Sequence, residues 1–544
     1  MKKILCICFW LYSFCGFSQL LNHQPTFTHQ DTLRGSITPE RIWWDLKFYH
    51  LSLKVEPKDS SISGNNLVVY KVLKASQSIQ IDLQNPLKIT KVTQDGKALK
   101  FRRDGNAFFI TLNKKQVIGK QESILVYYEG KPRPAKNAPW DGGFSWKKDT
   151  AGNWFIATSC QGIGASLWWP CKDHMYDEPD SMAISVTIPK NLTDVSNGRL
   201  RKVTENKDDT HTFHWFVANP INNYGVNVNI GNYVHFSEKF EGLKGVLDCN
   251  YYVLPEDLEK AKVQFKQVPM MLKAFEHWFG PYPFYEDGYK LVQVPYLGME
   301  HQSSVTYGNK FQNGYLGRDL SRTGWGTKWD FIIIHESGHE WFANNITYKD
   351  IADMWIHESF TNYSENLYTE YYYGKEAGAA YVIGTRKLIQ NREPIIGFYN
   401  VNAEGSGDMY YKGGNMLHTI RQIVNDDEKW RGILVGLNRT FYHQTVETQQ
   451  IENYVSKEAG VNLQKVFDQY LRNTAIPTLE YKSENGVISY RWTNCIAGFD
   501  MPVKVAKPSE SFQFIYPTTE WKSSGITGTE LKVDENFYVN LKKI

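Results

Sequence analysis

The most informative stretch of this chain is Trp329-Asp-Phe-Ile-Ile-Ile-His-Glu-Ser-Gly-His339, because two histidines four residues apart follow an apolar run. Residues four apart share one face of a helix and lie about 6 Å apart along its axis. Residues 329–334 therefore predict the buried first turns of a helix, from which His335 and His339 both reach one metal ion. Glu336 projects from the same turn but slightly to one side, as a general base requires.

A third ligand follows downstream of the histidine pair. Eighteen residues separate His339 from Glu358, and residues 355–365 predict a second helix after a segment of turn formers. Catalytic zinc sites have three protein ligands and one open position. We therefore expect one zinc ion per chain, bound by His335, His339 and Glu358. Glu365 lies seven residues further on the same helical face and is expected to orient a ligand imidazole. The alternative is an amphipathic helix with two solvated histidines, and the apolar run and the placed glutamate favour the zinc site.

These residues resemble the metal segment of the gluzincin aminopeptidases, the family of aminopeptidase N and leukotriene hydrolase. About thirty residues upstream, Tyr296-Leu-Gly-Met-Glu-His301 resembles the GAMEN exopeptidase motif of that family, although Leu297 and His301 depart from it. The resemblance implies that Glu300 pairs with the free α-amine of a peptide and that Gly298 and Met299 contact the substrate. It also implies that Glu336 acts as the general base.

Two further segments extend the resemblance over most of the chain. Met409-Tyr-Tyr-Lys-Gly-Gly414 is similar to the family's Tyr-x-Lys-Gly segment, whose tyrosine stabilises the tetrahedral intermediate; the register selects Tyr410, with Tyr411 as the alternative. Ser159-Cys-Gln-Gly162 resembles a segment of the family's N-terminal domain. There Gln161 takes the position of a substrate-binding glutamine.

The pattern along the chain predicts a multi-domain α+β protein. Residues 19–240 show short alternating segments with turns and predict a β domain, which is saddle-like if the family fold holds. Residues 241–476 predict a mainly α, thermolysin-like zinc catalytic domain, with helices at 258–279, 416–424 and 451–471. Residues 477–544 return to alternation and predict a small β domain. Larger relatives carry a helical C-terminal domain, which we do not expect in this short form, so we expect a more open site.

The N-terminus predicts an export signal. Lys2 and Lys3 precede an apolar stretch, residues 4–17, that is too short to span a membrane comfortably. We expect residues 1–18 to be a signal peptide and the mature chain to be periplasmic or extracellular, with no membrane span. A lipid anchor at Cys15 and a retained membrane anchor are the alternatives. The mature chain keeps four cysteines, which we expect to be mostly buried thiols: Cys160, Cys171, Cys249 and Cys495.

Charge and motifs together limit the functional classes. The formal net charge is +3, from 61 basic and 58 acidic residues spread along the chain, so no electrostatic argument favours nucleic acid. The favoured function is a zinc aminopeptidase acting on peptides with a free N-terminus. The alternatives are a zinc endopeptidase of the thermolysin type and a catalytically idle binding protein.

Overall fold

The computed structural model describes residues 25–508 and 510–544, and the predicted signal peptide, residues 1–18, lies outside them. The first region begins with helices α1 (His29–Gly35) and α2 (Pro39–Ile42). Its strands are β1 (Trp44–Glu56), β2 (Ser61–Val72), β3 (Ser78–Asp82), β4 (Lys88–Gln94), β5 (Lys97–Ala98), β6 (Lys100–Asp104), β7 (Ala107–Thr111), β8 (Gln121–Gly130), β9 (Gly143–Lys148), β10 (Trp154–Ser159), β11 (Ser181–Pro189), β12 (Thr193–Ser196), β13 (Arg199–Glu205), β14 (Thr210–Val217) and β15 (Val228–Gly231).

These strands form three sheets. The largest has the order β13-β14-β11-β1-β2-β8-β4-β5, the second β12-β15-β10-β9 and the third β3-β7-β6. In β1 the apolar residues Leu51, Leu53 and Val55 are buried while the residues between them are more exposed, as expected for a strand that covers a core with one face. The β-rich N-terminal domain predicted from the sequence is therefore confirmed.

The second region opens with a smaller sheet. Its strands are β16 (Val234–Gly242), β17 (Gly245–Val253), β18 (Tyr289–Gln293), β19 (Gly298–Met299) and β20 (Val305–Tyr307), in the order β16-β17-β18-β20-β19. The boundary predicted at residue 240 falls inside β16, which pairs along its whole length with β17. The sheet therefore begins at Val234, because the alternating pattern continues without a break across this boundary.

Helices make up most of the rest of the second region. They are α3 (Leu258–Gln264), α4 (Gln267–Phe279), α5 (Phe331–Gly338), α6 (Trp355–Tyr373), α7 (Lys375–Gly384), α8 (Tyr411–Val424), α9 (Asp427–Thr440), α10 (Thr448–Ala459) and α11 (Gln464–Leu471), with a short parallel pair of strands, β21 (Ile346–Tyr348) and β22 (Gln444–Val446). The predicted helical domain is confirmed. Among the described residues, no helix is both long and apolar enough to cross a bilayer.

Two predicted helices are each divided in the structure. Residues 258–279 form α3 and α4, because Pro269 lacks the N–H that a helix interior needs and is tolerated only in a first turn. Residues 451–471 belong to α10 and α11, because Gly460 adopts a left-handed conformation with φ of 70° and ends α10. The third predicted helix, residues 416–424, is the later part of α8.

The third region is the predicted small β domain. Its strands are β23 (Thr478–Glu484), β24 (Val487–Thr493), β25 (Val503–Ala506), β26 (Gln513–Ile515), β27 (Lys522–Thr527), β28 (Lys532–Val533) and β29 (Asn540–Lys543). They form two sheets, β27-β24-β23-β29 and β26-β25-β28. In the described part of the chain, Cys160, Cys171, Cys249 and Cys495 are all free thiols, and the first three are buried.

Candidate active site

The two histidines lie at the end of α5. The carboxylate of Asp330 caps this helix by accepting from the amides of Ile332 and Ile333, so the helix begins at Phe331 and not at Trp329 as predicted. His335 occupies its last turn and His339 the position that ends it. A Cβ at Gly338 would lie 2.7 Å from Ser364 Oγ, so the glycine lets α5 approach α6 closely.

The approach of α6 brings Glu358 to the histidine pair. Glu358 Oε2 lies 3.8 Å from His335 Nε2 and 3.4 Å from His339 Nε2. All three residues are buried, with exposed fractions of 7% for His335 and 1% for each of the other two. The structure therefore brings together the three residues that the spacing selects as metal ligands.

The donor set fits a zinc ion. Tetrahedral ligands about 2.1 Å from zinc lie roughly 3.4 Å from one another, close to the separations between Glu358 Oε2 and the two Nε2 atoms. Glu358 Oε2 is buried and accepts no hydrogen bond from any described residue, although such an oxygen is costly to leave without a partner. A cation between the two imidazoles and this oxygen would satisfy it.

Hydrogen bonds on the far side of each ring orient the imidazoles. His335 Nδ1 lies 2.8 Å from Glu365 Oε1, and Glu365 Oε2 accepts from the hydroxyl of Tyr381 at 2.7 Å. His339 Nδ1 lies 3.0 Å from the carbonyl oxygen of Phe342. With the protons on Nδ1, both Nε2 atoms are free to bind a metal. Glu365 therefore has the contact that the sequence predicts for it.

The charges of the site balance one another. Burial raises the pKa of Glu358, but the positive charges of His339 and then His335 lower it by more. The pKa of Glu358 therefore lies below its usual value. Burial lowers the pKa of His339, but the carboxylates of Glu358 and Glu300 raise it to about 10. Without a metal ion, a protonated His339 thus offsets the ionised Glu358, and zinc would take over this positive charge.

Glu336 lies between the metal ligands and strand β19. A Cβ at Gly298 would lie 2.6 Å from Ile332 Cγ2 and 3.4 Å from Glu336 Cγ, so a glycine is needed where β19 crosses α5. Burial raises the pKa of Glu336 to about 7, against the lowering effect of His335. A carboxylate with this pKa is suited to accept and return a proton near neutral pH.

Glu300 lies beside Glu336 and His339, with one side-chain oxygen or ring nitrogen of each within 4.8 Å of the others, and it is 2% exposed. Its Oε1 accepts from Gln161 Nε2 at 2.5 Å and from the hydroxyl of Tyr224 at 3.2 Å. Gln161 Nε2 also donates to Glu358 Oε1 at 3.0 Å. Asn344 Nδ2 donates to the carbonyl of Glu300 at 2.9 Å. The N-terminal region thus contributes directly to the site, through Gln161 and Tyr224.

Strand β19 forms one wall of the site. Gly298 and Met299 pair antiparallel with Tyr307 and Thr306, and β19 is the edge strand of its sheet. The two residues that depart from the motif, Leu297 and His301, differ in their exposure to the cavity. Leu297 lines the cavity, whereas His301 is fully buried behind it, and burial lowers its pKa to about 3.

Tyr410 lies directly before α8, where its ring stacks against His335 with centroids 6.2 Å apart and planes at 28°. Ser359 Oγ donates to the carbonyl of Met409 at 2.7 Å, which fastens this turn to α6. Burial and then Glu358 raise the pKa of Tyr410 well above its usual value, so its hydroxyl stays a proton donor. Tyr411 lines the same cavity, but it is Tyr410 whose ring stacks against His335, so the geometry favours Tyr410.

The three predicted metal ligands line one cavity of about 370 Å³, together with Glu336, Glu300, Gln161, Glu365, Gly298, Met299 and Tyr410. Pro139 and Trp140, at the end of the proline-rich loop, also line it. Four other aromatic residues of this region belong to the hydrophobic core: Phe275, Trp278, Trp341 and Tyr363.

Several residues of the site carry no recognisable signal in the sequence. Tyr224, Asn344, Thr361 and Tyr381 reach it only through the tertiary fold, each by a hydrogen bond to Glu300, His339 or Glu365. Glu404 also lines the cavity, and burial and then Glu358 raise its pKa. Its only sequence signal is its place six residues before Tyr410.

Two family models match the chain. The model of the Peptidase M1 N-terminal domain matches residues 46–224, and that of the Peptidase family M1 domain matches residues 263–470. Together they cover more than two thirds of the chain.

Curated relatives are distant but extensive. The chain is 22% identical to probable aminopeptidase 2 of Sulfurisphaera tokodaii over 473 residues, which cover 83% of this chain and 55% of that protein. It is 24% identical to leukotriene A-4 hydrolase of Xenopus laevis over 445 residues, which cover 77% and 68%. The chain thus spans about half to two thirds of the length of these relatives.

A solved structure has the same fold. An M1 zinc metallopeptidase variant from Deinococcus radiodurans, bound to a Tyr-Ser-Ala substrate, superposes with a TM-score of 0.66 at 19% identity. The match covers 80% of this chain and 96% of that one.

Proposed function

Because the chain belongs to peptidase family M1, we propose that it is a zinc-dependent aminopeptidase that removes the first residue of peptides with a free N-terminus. One zinc ion per chain would be held by His335, His339 and Glu358. The proposed place of action, in the periplasm or outside the cell, depends on residues 1–18 alone.

The observation that carries this proposal is the buried carboxylate of Glu300 beside the metal ligands. Gln161 Nε2 donates to both Glu300 and Glu358, so the candidate amine site and the metal site share a hydrogen-bond donor. A buried carboxylate near the scissile bond is the group that recognises an α-ammonium, through charge-assisted hydrogen bonds. An endopeptidase cleaves internal bonds, where no α-ammonium is present for such a group to bind.

The remaining residues supply the proton chemistry. When bound, zinc would act as a Lewis acid toward the scissile carbonyl and would lower the pKa of water. Glu336 would accept the proton of the attacking water and pass it to the leaving amine. Tyr410 would donate a hydrogen bond to the carbonyl oxygen as negative charge develops on it. Glu300 and Gln161 would hold the ammonium and so fix the position of the scissile bond.

One assay separates the proposed function from its alternatives. The purified protein is incubated with aminoacyl-anilides and with N-acetylated forms of the same compounds, each with and without chelator. We expect only the free-amine forms to be cleaved, and chelator to abolish the cleavage. Equal cleavage of both forms would favour an endopeptidase, and no cleavage of any peptide or anilide would favour a binding protein.

Glu300→Ala tests the amine site. We expect KM for free-amine substrates to rise by about 10- to 100-fold, because the variant loses a charge-assisted contact worth roughly 1.5–3 kcal/mol. Steady-state kinetics on zinc-loaded protein measures this change. Glu393→Ala, at an exposed position outside the cavity, is the control and should leave KM as it is. An unchanged KM in Glu300→Ala would remove Glu300 from amine recognition.

A further inference from the structure

The loop that carries Gln161 follows β10, and its backbone decides where the Gln161 side chain points. Nε2 of Gln161 donates to Glu300 Oε1 at 2.5 Å and to Glu358 Oε1 at 3.0 Å. Both N–H groups of the amide are therefore used, and its oxygen is the atom left to accept from a substrate ammonium. The amine site depends on how firmly the backbone of residues 160–164 is held.

Arg34, in the last turn of α1, is hydrogen-bonded to this loop. Its guanidinium donates through Nη1 to the carbonyl of Ile163 and through Nη2 to that of Gly162 at 3.4 Å. A Cβ at Gly164 would lie 1.9 Å from Arg34 Nη2, so the guanidinium passes where only a glycine leaves room. Gly162 follows Gln161 directly. The two anchored carbonyls are thus next to the residue that binds both glutamates.

Arg34 is itself held in place. Its guanidinium lies 3.6 Å from the carboxylate of Asp173, which is almost completely buried. The buried guanidinium of Arg41 donates to the backbone carbonyl of Arg34 at 3.0 Å and pairs with Asp82 at 2.6 Å. The end of α1 is therefore fixed to the N-terminal β domain, and the arginine that reaches the loop is fixed with it.

Helix α1 also contacts the helical region where that region meets the loop. A Cβ at Gly35 would lie 1.9 Å from Asn402 N, and Asn402 Nδ2 donates to the carbonyl of Gly162 at 3.3 Å. Arg34 and Asn402 therefore meet at one carbonyl, each coming from a different region of the chain. Helix α1 precedes residues 46–224, which the family model of the N-terminal domain matches.

We propose that Arg34 is a positioning residue of the amine site. It is not among the described residues that line the cavity, so it acts through Gln161 and not on the substrate. This inference rests on the proposed aminopeptidase function and adds to it the residue that preorganises recognition of the amine. A loop that is already fixed loses less conformational freedom when the ammonium binds, so the substrate binds more tightly. The effect is on substrate binding more than on the chemical step.

The experiment combines Arg34→Ala with Gln161→Ala in zinc-loaded protein, with an aminoacyl-anilide as the substrate. We expect Arg34→Ala to raise KM by about tenfold, as for the loss of a charge-assisted hydrogen bond, and to change kcat by less than about twofold. In the Gln161→Ala protein the same change should raise KM by less than about twofold, because the side chain through which Arg34 acts is gone. Arg439→Ala, the same change at an exposed position of α9, should leave KM as it is.

Three outcomes would overturn the proposal. The first is a KM in Arg34→Ala within about twofold of the native value, and the second is a loss of kcat larger than the rise of KM. The third is an equal rise of KM with and without the Gln161 side chain, which is what a general loss of structure would give.

A second variant covers the case in which Arg34→Ala does not fold, as judged by zinc content and circular dichroism. Arg34→Lys keeps the charge and the stem but not the fork of two parallel donors. A raised KM that disappears in the Gln161→Ala protein would support the inference, and an unchanged KM would contradict it. Failure of the underlying function is distinguishable, because the native protein would then cleave acetylated and free-amine anilides equally or not at all.

Discussion

Glu336→Gln is expected to lower kcat by about a thousandfold or more while zinc stays bound. The amide of glutamine has nearly the shape of the carboxylate, but it cannot accept a proton from the attacking water or return it to the leaving amine. General acid–base catalysis contributes about 10²–10⁴-fold to a rate, and here one residue serves in both transfers. The metal ligands His335, His339 and Glu358 are not altered.

The measurement is kcat on an aminoacyl-anilide, with zinc counted per chain by atomic absorption. Zinc content should remain near one, and KM should change by less than the rate, because Glu336 acts in the transition state more than in substrate binding. Glu393→Gln serves as the control for the same change of charge elsewhere. A zinc-loaded Glu336→Gln protein with kcat within tenfold of the native value would show that another group is the base.

The part of the site that lies within one or two helices could be predicted from the sequence. His335 and His339 are four residues apart, and helix geometry alone places them together. Glu358 and Glu365 follow on one face of the next helix, and the short connection that contains β21 sets their distance from the histidines. The structure brings these residues together because each step depends on local backbone geometry.

The part that depends on distant segments could not be predicted in this way. Gln161 and Glu300 are 139 residues apart, and only the resemblance to a family suggested that they meet. Tyr224 reaches Glu300 from the same N-terminal region with no pattern to mark it.

Element boundaries were the other limit. The hydrophobic pattern continues across Pro269 and Gly460, although the helices are divided near both residues. Pro269 lacks the backbone N–H that a helix interior needs, and Gly460 ends α10 in a left-handed conformation, and the hydrophobic pattern shows neither. The predicted end of the first β region, residue 240, lies a few residues too late, because here the alternating pattern continues although the sheet changes. Strand β16 continues the same alternation, yet it pairs with the sheet of the helical region.

His339→Ala is expected to abolish stoichiometric zinc binding and, with it, peptidase activity. The change leaves two of the three ligands, and His339 Nε2 is the ligand atom nearest to Glu358 Oε2. Loss of an outer partner of a ligand alone costs about 10–100-fold in metal affinity, so loss of a ligand should cost more. Zinc content after dialysis, measured beside His235→Ala at an exposed position, tests this.

Thermal unfolding supplies a readout that does not depend on activity. A ligand that binds only the folded state stabilises it, by about 4 kcal/mol at a thousandfold excess over Kd. Zinc should therefore raise the Tm of the native protein and of His235→Ala but not that of His339→Ala. The change in Tm upon adding zinc is compared, and not the Tm itself, because removing His339 also destabilises the protein without zinc. The carboxylates of Glu358 and Glu300 then lose the positively charged imidazole that offsets their charge. An equal zinc-induced shift in His339→Ala would show that the ion binds elsewhere.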